Sequence, residues 1–200
     1  MAGKASIFKK IATSRASKGG NHIKDGKYRF LVKKVLQEKK EDGEMFIVEL
    51  QVVTSENVPG QFEKAGKPVW PGIEGAVEVK ANPVGSSPSY VLNLDSNKSA
   101  GNNAKAFVLA LYDGEDFDEE DEEAVADFVE TVDELVGEMQ PARGMLIDDE
   151  TFRKKIKGGK NAGEPFVGHN WTHVPQTPEE IAQRRAKLDK TDREEAAKSA

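Results

Sequence analysis

Three basic residues in the last third of the chain stand two positions apart. They are Arg153, Lys155 and Lys157, in the stretch "TFRKKIKGG". If this stretch is a β-strand, its period of two puts all three side chains on one face of a sheet. Such a row of cations can bind the phosphates of a polyanion and release the counterions that the phosphates hold. The alternative is an ordinary solvated strand face with no binding role.

A second basic set and several aromatic residues accompany this row. Arg29, Lys33 and Lys34 lie in "GKYRFLVKKV". The flat faces of aromatic side chains can stack on unpaired bases, whatever the base sequence. In order of preference, our candidates for stacking are Trp171, Trp70, Tyr28, Phe46 and Tyr90.

For any single aromatic residue, packing in the core is the alternative. Trp70 is the hardest to explain in that way, because it lies in a long loop rich in proline and glycine. Trp171 and Phe166 have opposite parity in one predicted strand, so one of the two should face outward. We assign Phe107, Phe128 and Leu111 to the core.

The pattern of apolar residues predicts two hairpins and a third strand. Tyr28, Phe30 and Val32 alternate in the first strand, "EDG" at 41–43 is a turn, and Phe46, Val48, Leu50 and Val52 share one face of the second strand. Residues 57–73 are a predicted loop, and "EGAVEVKANPV", with Val77 and Val79, is the predicted third strand. "YVLNL" at 90–94 is a short strand or a turn. The last hairpin spans 144–174.

Helices are predicted around 101–112, over 115–138 and after Thr177. Phe107, Val108, Leu111 and Tyr112 form one helical face in the first of these. The second has apolar residues at intervals of three or four between Ala124 and Val136. Thr177 followed by Pro178 is typical of a helix start, and we expect residues 175–200 to form an exposed helix with a disordered end.

Charge is distributed very unevenly, although the net charge is only −6. Residues 1–40 contain 12 Lys or Arg against 2 Asp or Glu, whereas residues 113–138 contain 14 acidic residues and no basic ones. The acidic block is not a terminal tail, because apolar spacing continues through it. We therefore interpret it as an amphipathic helix with its carboxylates facing outward. It could also compete with a polyanion for the basic N-terminal residues.

Composition excludes several classes of protein. The chain has no cysteine, which excludes disulfides and cysteine-based metal sites. No apolar run is long enough to cross a membrane, and we expect no secretory signal at the N-terminus. His169 and His173 would stand about 13 Å apart on a strand, too far to share a metal. No catalytic or phosphate-cradling motif is present, so we expect no enzymatic activity, no metal and no cofactor.

These elements predict a mainly β fold with helices. Three strands, a helical interruption and a closing hairpin are typical of a five-stranded OB-like Greek-key barrel. The α-helical insertion lies between strands 3 and 4, and a C-terminal helix follows. We expect a basic flexible arm at 1–25, an OB-fold domain at 26–174 that includes the acidic insertion 115–138, and the terminal helix and tail at 175–200.

The ordered set of motifs resembles the small single-stranded DNA-binding proteins encoded by bacteriophages. The matching stretches are "GKYRFLVKKV", "GEMFIVELQVVTSE", "GKPVWPG", "NAKAFVLALYDG" and "GMLIDDETFRKKIKGGKNAGEPFVGHNWTHV". They fall within residues 26–174. The resemblance implies an OB fold that coats and protects single strands in phage DNA replication, recombination or repair. The chain departs from the family's pattern in its last residues, "REEAAKSA", which are nearly neutral where the family has an acidic tip that recruits replication proteins.

Two hypotheses about function follow. The first is a sequence-independent single-stranded DNA-binding protein in the host cytoplasm, with phage or host replication proteins as further partners and self-association on DNA. The second is an acidic protein–protein adaptor, or a DNA mimic, that recruits or inhibits a replication enzyme through residues 115–138. Deleting those residues separates the two hypotheses: DNA affinity should stay or rise under the first, and partner binding should disappear under the second.

Overall fold

The computed structural model describes residues 22–41, 43–95, 98–114, 117–118, 120–159 and 161–198. These residues form a mixed α/β fold with three helices and two antiparallel sheets. The strands are β1 (Lys27–Lys40), β2 (Gly43–Glu56), β3 (Phe62–Lys64), β4 (Lys67–Val69), β5 (Val77–Glu78), β6 (Ser89–Asn93), β7 (Leu146–Lys155) and β8 (Pro165–His173). The helices are α1 (Lys98–Leu111), α2 (Glu122–Val136) and α3 (Pro178–Lys198). None of these helices is both long and apolar enough to cross a membrane.

The first hairpin is confirmed, and its apolar alternation explains why it forms. β1 and β2 pair in antiparallel register from Lys27 opposite Glu56 to Lys40 opposite Gly43. The residues that the sequence placed on the inner face are buried: Tyr28, Phe30 and Val32 on β1, and Phe46, Val48, Leu50 and Val52 on β2. A register shift between Val32 and Lys34 adds a residue there, as a β-bulge does, and Val35 rather than Lys34 is buried.

The third strand of the main sheet was predicted wrongly. The five-stranded sheet has the order β6-β2-β1-β7-β8, so its third strand along the chain is β6. Val77, which the sequence placed in that strand, lies instead in a small sheet with the order β4-β3-β5 and is 60% exposed. Tyr90 in β6 is buried, and this large apolar side chain holds the edge strand on the core. The predicted loop at 57–73 therefore contains two short strands of the small sheet.

The five-stranded sheet curls but is not a closed barrel. Among the described residues, no hydrogen-bonded ladder joins its edge strands β6 and β8. The two edges meet instead through side chains, because the rings of Tyr90 and Trp171 lie 5.1 Å apart. Phe107 of α1 packs on both rings, at 6.2 Å from Tyr90 and 5.2 Å from Trp171. Aromatic packing takes the place of the missing strand pairing.

The acidic helix is shorter than the sequence predicted. α2 begins at Glu122, where the Asp121 carboxylate accepts hydrogen bonds from two backbone N–H groups of the first turn. Leu135 is fully buried, and Phe128 and Val132 pack against the core. Of the acidic residues before the helix, 115, 116 and 119 lie outside the described residues.

α3 is docked on the loop between α2 and β7. Arg143 forms ion pairs with Asp189 at 2.9 Å and Asp192 at 2.6 Å, and Leu188 is buried. Gly144 allows the close approach: its φ is +91°, and a Cβ there would lie 2.8 Å from the carbonyl oxygen of Ile181. The helix continues to Lys198, and the final residues 199 and 200 lie outside the described residues.

A buried ion pair connects the segment before β1 to β7. The Arg153 guanidinium donates to both carboxylate oxygens of Asp25, at 2.8 and 2.6 Å. The Arg153 side chain is only 5% exposed and the Asp25 side chain only 4%. Gly26 and Thr151 reinforce the connection, since the Gly26 N–H donates to the Thr151 hydroxyl at 2.7 Å. This pair anchors the described end of the predicted N-terminal arm, of which residues 1–21 lie outside the described residues.

Replacing Asp25 by alanine should strongly destabilise the fold, because it leaves the Arg153 charge buried without its counter-ion. We expect Asp25→Ala to lower the free energy of unfolding by about 3–5 kcal/mol. The matched control is Glu150→Ala, which breaks the Lys27–Glu150 pair, whose side chains are 52% and 53% exposed, and should cost at most about 1 kcal/mol. Urea unfolding followed by tryptophan fluorescence measures both. Equal losses in the free energy of unfolding would show that the buried Arg153–Asp25 pair stabilises the fold no more than an exposed ion pair does.

Candidate nucleic-acid interface

The tip of the β7–β8 hairpin carries a cluster of cations. The backbone ladder continues past the strands. The Ile156 N–H donates to the Glu164 carbonyl, and the Gly163 N–H donates to the Ile156 carbonyl, each at 2.9 Å. Gly159 and Gly163 turn the chain with φ of +82° and +95°, values that favour glycine. An open groove of about 770 Å³ lies here, lined by Lys154, Lys155, Ile156, Lys157, Ala162 and Gly163.

Trp70 lies against this hairpin tip with part of its ring open to solvent. It is 38% exposed, and its indole Nε1–H donates to the carbonyl oxygen of Gly163 at 2.9 Å. The residue directly follows β4, so this bond connects the small sheet to the hairpin. A ring held in this way is preorganised for stacking, because little conformational freedom remains to be lost on binding.

The candidate cations divide into paired and unpaired groups. Arg29 makes two hydrogen bonds of 2.8 Å to Asp148, which raise the pKa of Arg29, and Arg153 is buried against Asp25. Among the described residues, the other predicted cations form no ion pairs: Lys33, Lys34, Lys155 and Lys157. Arg153 was therefore a wrong prediction for phosphate contact, since its guanidinium is used inside the protein.

The unpaired cations do not form one continuous row. Lys155 and Lys157 lie at the hairpin tip, beyond the point where Gly26 and Thr151 meet. Lys33 and Lys34 lie past the other end of the β1–β7 pairing, which stops at Leu31 opposite Leu146. The structure thus groups the tip lysines with Trp70 and leaves Lys33 and Lys34 at a separate place on the sheet.

Four of the five predicted stacking residues are core residues. Tyr28, Phe46, Tyr90 and Trp171 are 4%, 2%, 5% and 9% exposed, respectively. Their rings fill the space between the edges of the curled sheet, so they offer no free face to a base. The Tyr28 hydroxyl also accepts from the Asn82 N–H and donates to the Lys24 carbonyl, both at 2.9 Å.

Phe166 and Phe152 are the aromatic residues that our ranking missed. Phe166 is 39% exposed, in agreement with the parity that set it opposite to Trp171. It pairs directly with Lys154 across the hairpin, so the two share the outer face. The Phe152 ring covers Gly168, where a Cβ would lie 2.5 Å from its Cε2 atom, and Lys154 Nζ lies 4.7 Å from the ring centre. Strand parity applied to every aromatic residue would have found this face.

The two histidines have separate structural partners. His169 Nδ1 lies 2.7 Å from the buried Asp149 carboxylate, and its ring stacks on Trp171 at 5.2 Å. His173 Nδ1 lies 3.3 Å from the carbonyl oxygen of Ala110. Within the described ranges, no three His, Asp or Glu side chains come together in a cluster that could hold a metal ion.

Comparison of the chain with protein-family models and with curated protein sequences found no match to either.

The burial of Tyr28 and Tyr90 predicts how the stability of the fold changes with pH in the alkaline range. Burial raises the pKa of Tyr28 and of Tyr90 from 10.0 to about 12. Between pH 10 and 12 the unfolded chain loses protons that the folded chain keeps. Stability should then fall as pH rises through this window, by about 3 kcal/mol for each tyrosine.

The measurement is a series of urea titrations between neutral pH and pH 12, with phenolate absorbance recorded on the folded protein. Tyr90→Phe removes one of the two groups and should remove about half of the pH dependence. Ionisation of all three tyrosines near pH 10 while the fold is intact would contradict the placement of Tyr28 and Tyr90 in the core.

Proposed function

We propose that this protein binds single-stranded DNA without reading its sequence, through the β7–β8 hairpin tip and Trp70. The observation that carries the proposal is the partly exposed indole held on Gly163 beside Lys155 and Lys157, which form no ion pair with any described residue. Unpaired lysines attract phosphates, and the indole face stacks on a base. Stacking of this kind requires bases that are not already paired in a duplex, which favours a single strand.

The order of the strands supports the same proposal. We propose that the five-stranded sheet is an opened variant of the OB barrel, with α1 between the third and fourth strands of the main sheet. The basic tip is then the loop between the fourth and fifth strands, which contacts oligonucleotides in OB folds. Such a protein would coat and protect single strands during phage DNA replication, recombination or repair in the host cytoplasm, beside replication proteins, as the resemblance of its motifs implies.

Titration with an oligo-dT strand tests the proposal directly. The two tryptophans differ in exposure, so quenching on binding should come from Trp70, while Trp171 is buried. We expect binding at low salt that weakens steeply as salt rises. Trp70→Ala should cost about 1–3 kcal/mol of binding free energy, and Trp70→Phe should retain most of the affinity without the quenching. Absence of binding at low salt would rule out the proposal.

The contrast between paired and unpaired cations gives a second test. Lys155→Gln/Lys157→Gln should reduce the slope of log affinity against log salt by about 1.4, because each phosphate that a lysine neutralises on a single strand contributes about 0.7 to the slope. The control, Lys27→Gln/Arg29→Gln, removes the same charge from cations already paired with Glu150 and Asp148 and should change the slope much less. Equal changes in the two variants would show that only net charge matters and would remove the hairpin tip from the interface.

A further inference from the structure

α2 leaves part of its apolar surface uncovered. Val125 and Val129 are 39% and 54% exposed, although Leu135 of the same helix is fully buried. The two valines stand four residues apart, one turn of helix, and therefore form a continuous ridge on its flank. We call Val125 and Val129 the valine ridge.

The valine ridge lies in a strongly acidic surface. No Lys or Arg occurs between residues 114 and 141, and six carboxylates of α2 are exposed: Glu122, Glu123, Asp127, Glu130, Asp133 and Glu134. None of the six forms an ion pair with another described residue. Like charges along one helix repel each other. A cationic segment with apolar side chains would relieve this repulsion and cover the valines.

The chain itself contains a segment with this chemistry. Residues 1–21 carry no acidic residue and five basic ones: Lys4, Lys9, Lys10, Arg15 and Lys18. The same segment has Ile7, Phe8 and Ile11 at the spacing of one helical face. We propose that residues 1–21 dock on α2 of the same chain, with these apolar residues on the valine ridge and the basic residues on its carboxylates.

The tether favours the same chain over a second copy. The segment ends directly before His22, which pairs with Ser89 at the start of β6. Twenty-one residues can extend over roughly 70 Å, more than the width of a domain of this size. A tethered segment meets its own α2 at an effective concentration on the order of millimolar. This docking goes beyond the proposed DNA binding and does not depend on it.

Engineered disulfides provide the test, because the full-length chain has no native cysteine. Ala12→Cys/Ala126→Cys places one thiol in the N-terminal segment and the other beside the valine ridge, on an exposed residue of α2. The control is Ala12→Cys/Val84→Cys. Val84 is 64% exposed and lies two residues after Asn82, whose side chain donates to the His22 carbonyl. Val84 is therefore close to the point where the N-terminal segment is attached. If the segment moves at random, the control pair should form its disulfide faster than the α2 pair.

We expect the α2 pair to form its intramolecular disulfide faster than the control pair, as measured by mass spectrometry under mild oxidation. Adding Val125→Ser/Val129→Ser should slow the reaction by about tenfold, and high salt should slow it further. Adding Val53→Ser, at another exposed valine, should leave the rate unchanged.

A control pair that reacts as fast as the α2 pair overturns the proposal. Disulfides that form mainly between two chains, and more rapidly at higher protein concentration, overturn it in favour of docking on a second copy. A rate that does not respond to the valine substitutions shows that the ridge is not the docking surface. None of these outcomes involves DNA, so the failure of this proposal and that of DNA binding are distinguishable.

Discussion

The rest of the structure depends on the ion pair and hydrogen bonds that the buried Arg153 guanidinium makes. It donates to Asp25 before β1, to the Phe62 carbonyl in β3 at 3.0 Å and to the Val69 carbonyl in β4 at 3.4 Å. One side chain of β7 therefore joins the N-terminal segment and the small sheet to the main sheet. A charge removed from water in this way is tolerated only when a counter-ion and further hydrogen bonds satisfy it. The Arg153 guanidinium makes four hydrogen bonds, two to the Asp25 carboxylate and two to backbone carbonyls.

This interaction also explains the position of Trp70. Val69, whose carbonyl accepts from Arg153, is the neighbour of Trp70, so the guanidinium fixes the backbone one residue before the indole. The Gly163 carbonyl, in the tip of the same hairpin, then fixes the ring by accepting from the indole Nε1–H. The cation that the sequence assigned to phosphate binding thus acts inside the protein and positions an aromatic side chain. Lys155 and Lys157, next in the same row, form no ion pair with any described residue.

Local pattern was sufficient to predict the two hairpins and the helices, because alternation and helical spacing depend on residues close in sequence. It was insufficient for the third strand, since β6 is short and only Tyr90 is buried within it. It was also insufficient for the candidate site. Arg29 finds its partner 119 residues later, and Arg153 finds its partner 128 residues earlier. No spacing rule relates such positions, so sequence alone does not separate paired from unpaired cations.

The pairing pattern decides where a polyanion can gain free energy. Across the middle of the sheet, Lys27 and Arg29 are already neutralised by carboxylates of β7, so a phosphate there would have to displace an existing partner. At the hairpin tip no such exchange is needed. The acidic helix lies beside the second half of β1, because Gln140, just after α2, hydrogen-bonds both the N–H and the carbonyl of Val35. If the protein binds DNA as proposed, attraction at the tip and repulsion by the carboxylates of α2 favour contact at the tip, and the ion pairs of Lys27 and Arg29 weaken the attraction along that part of β1.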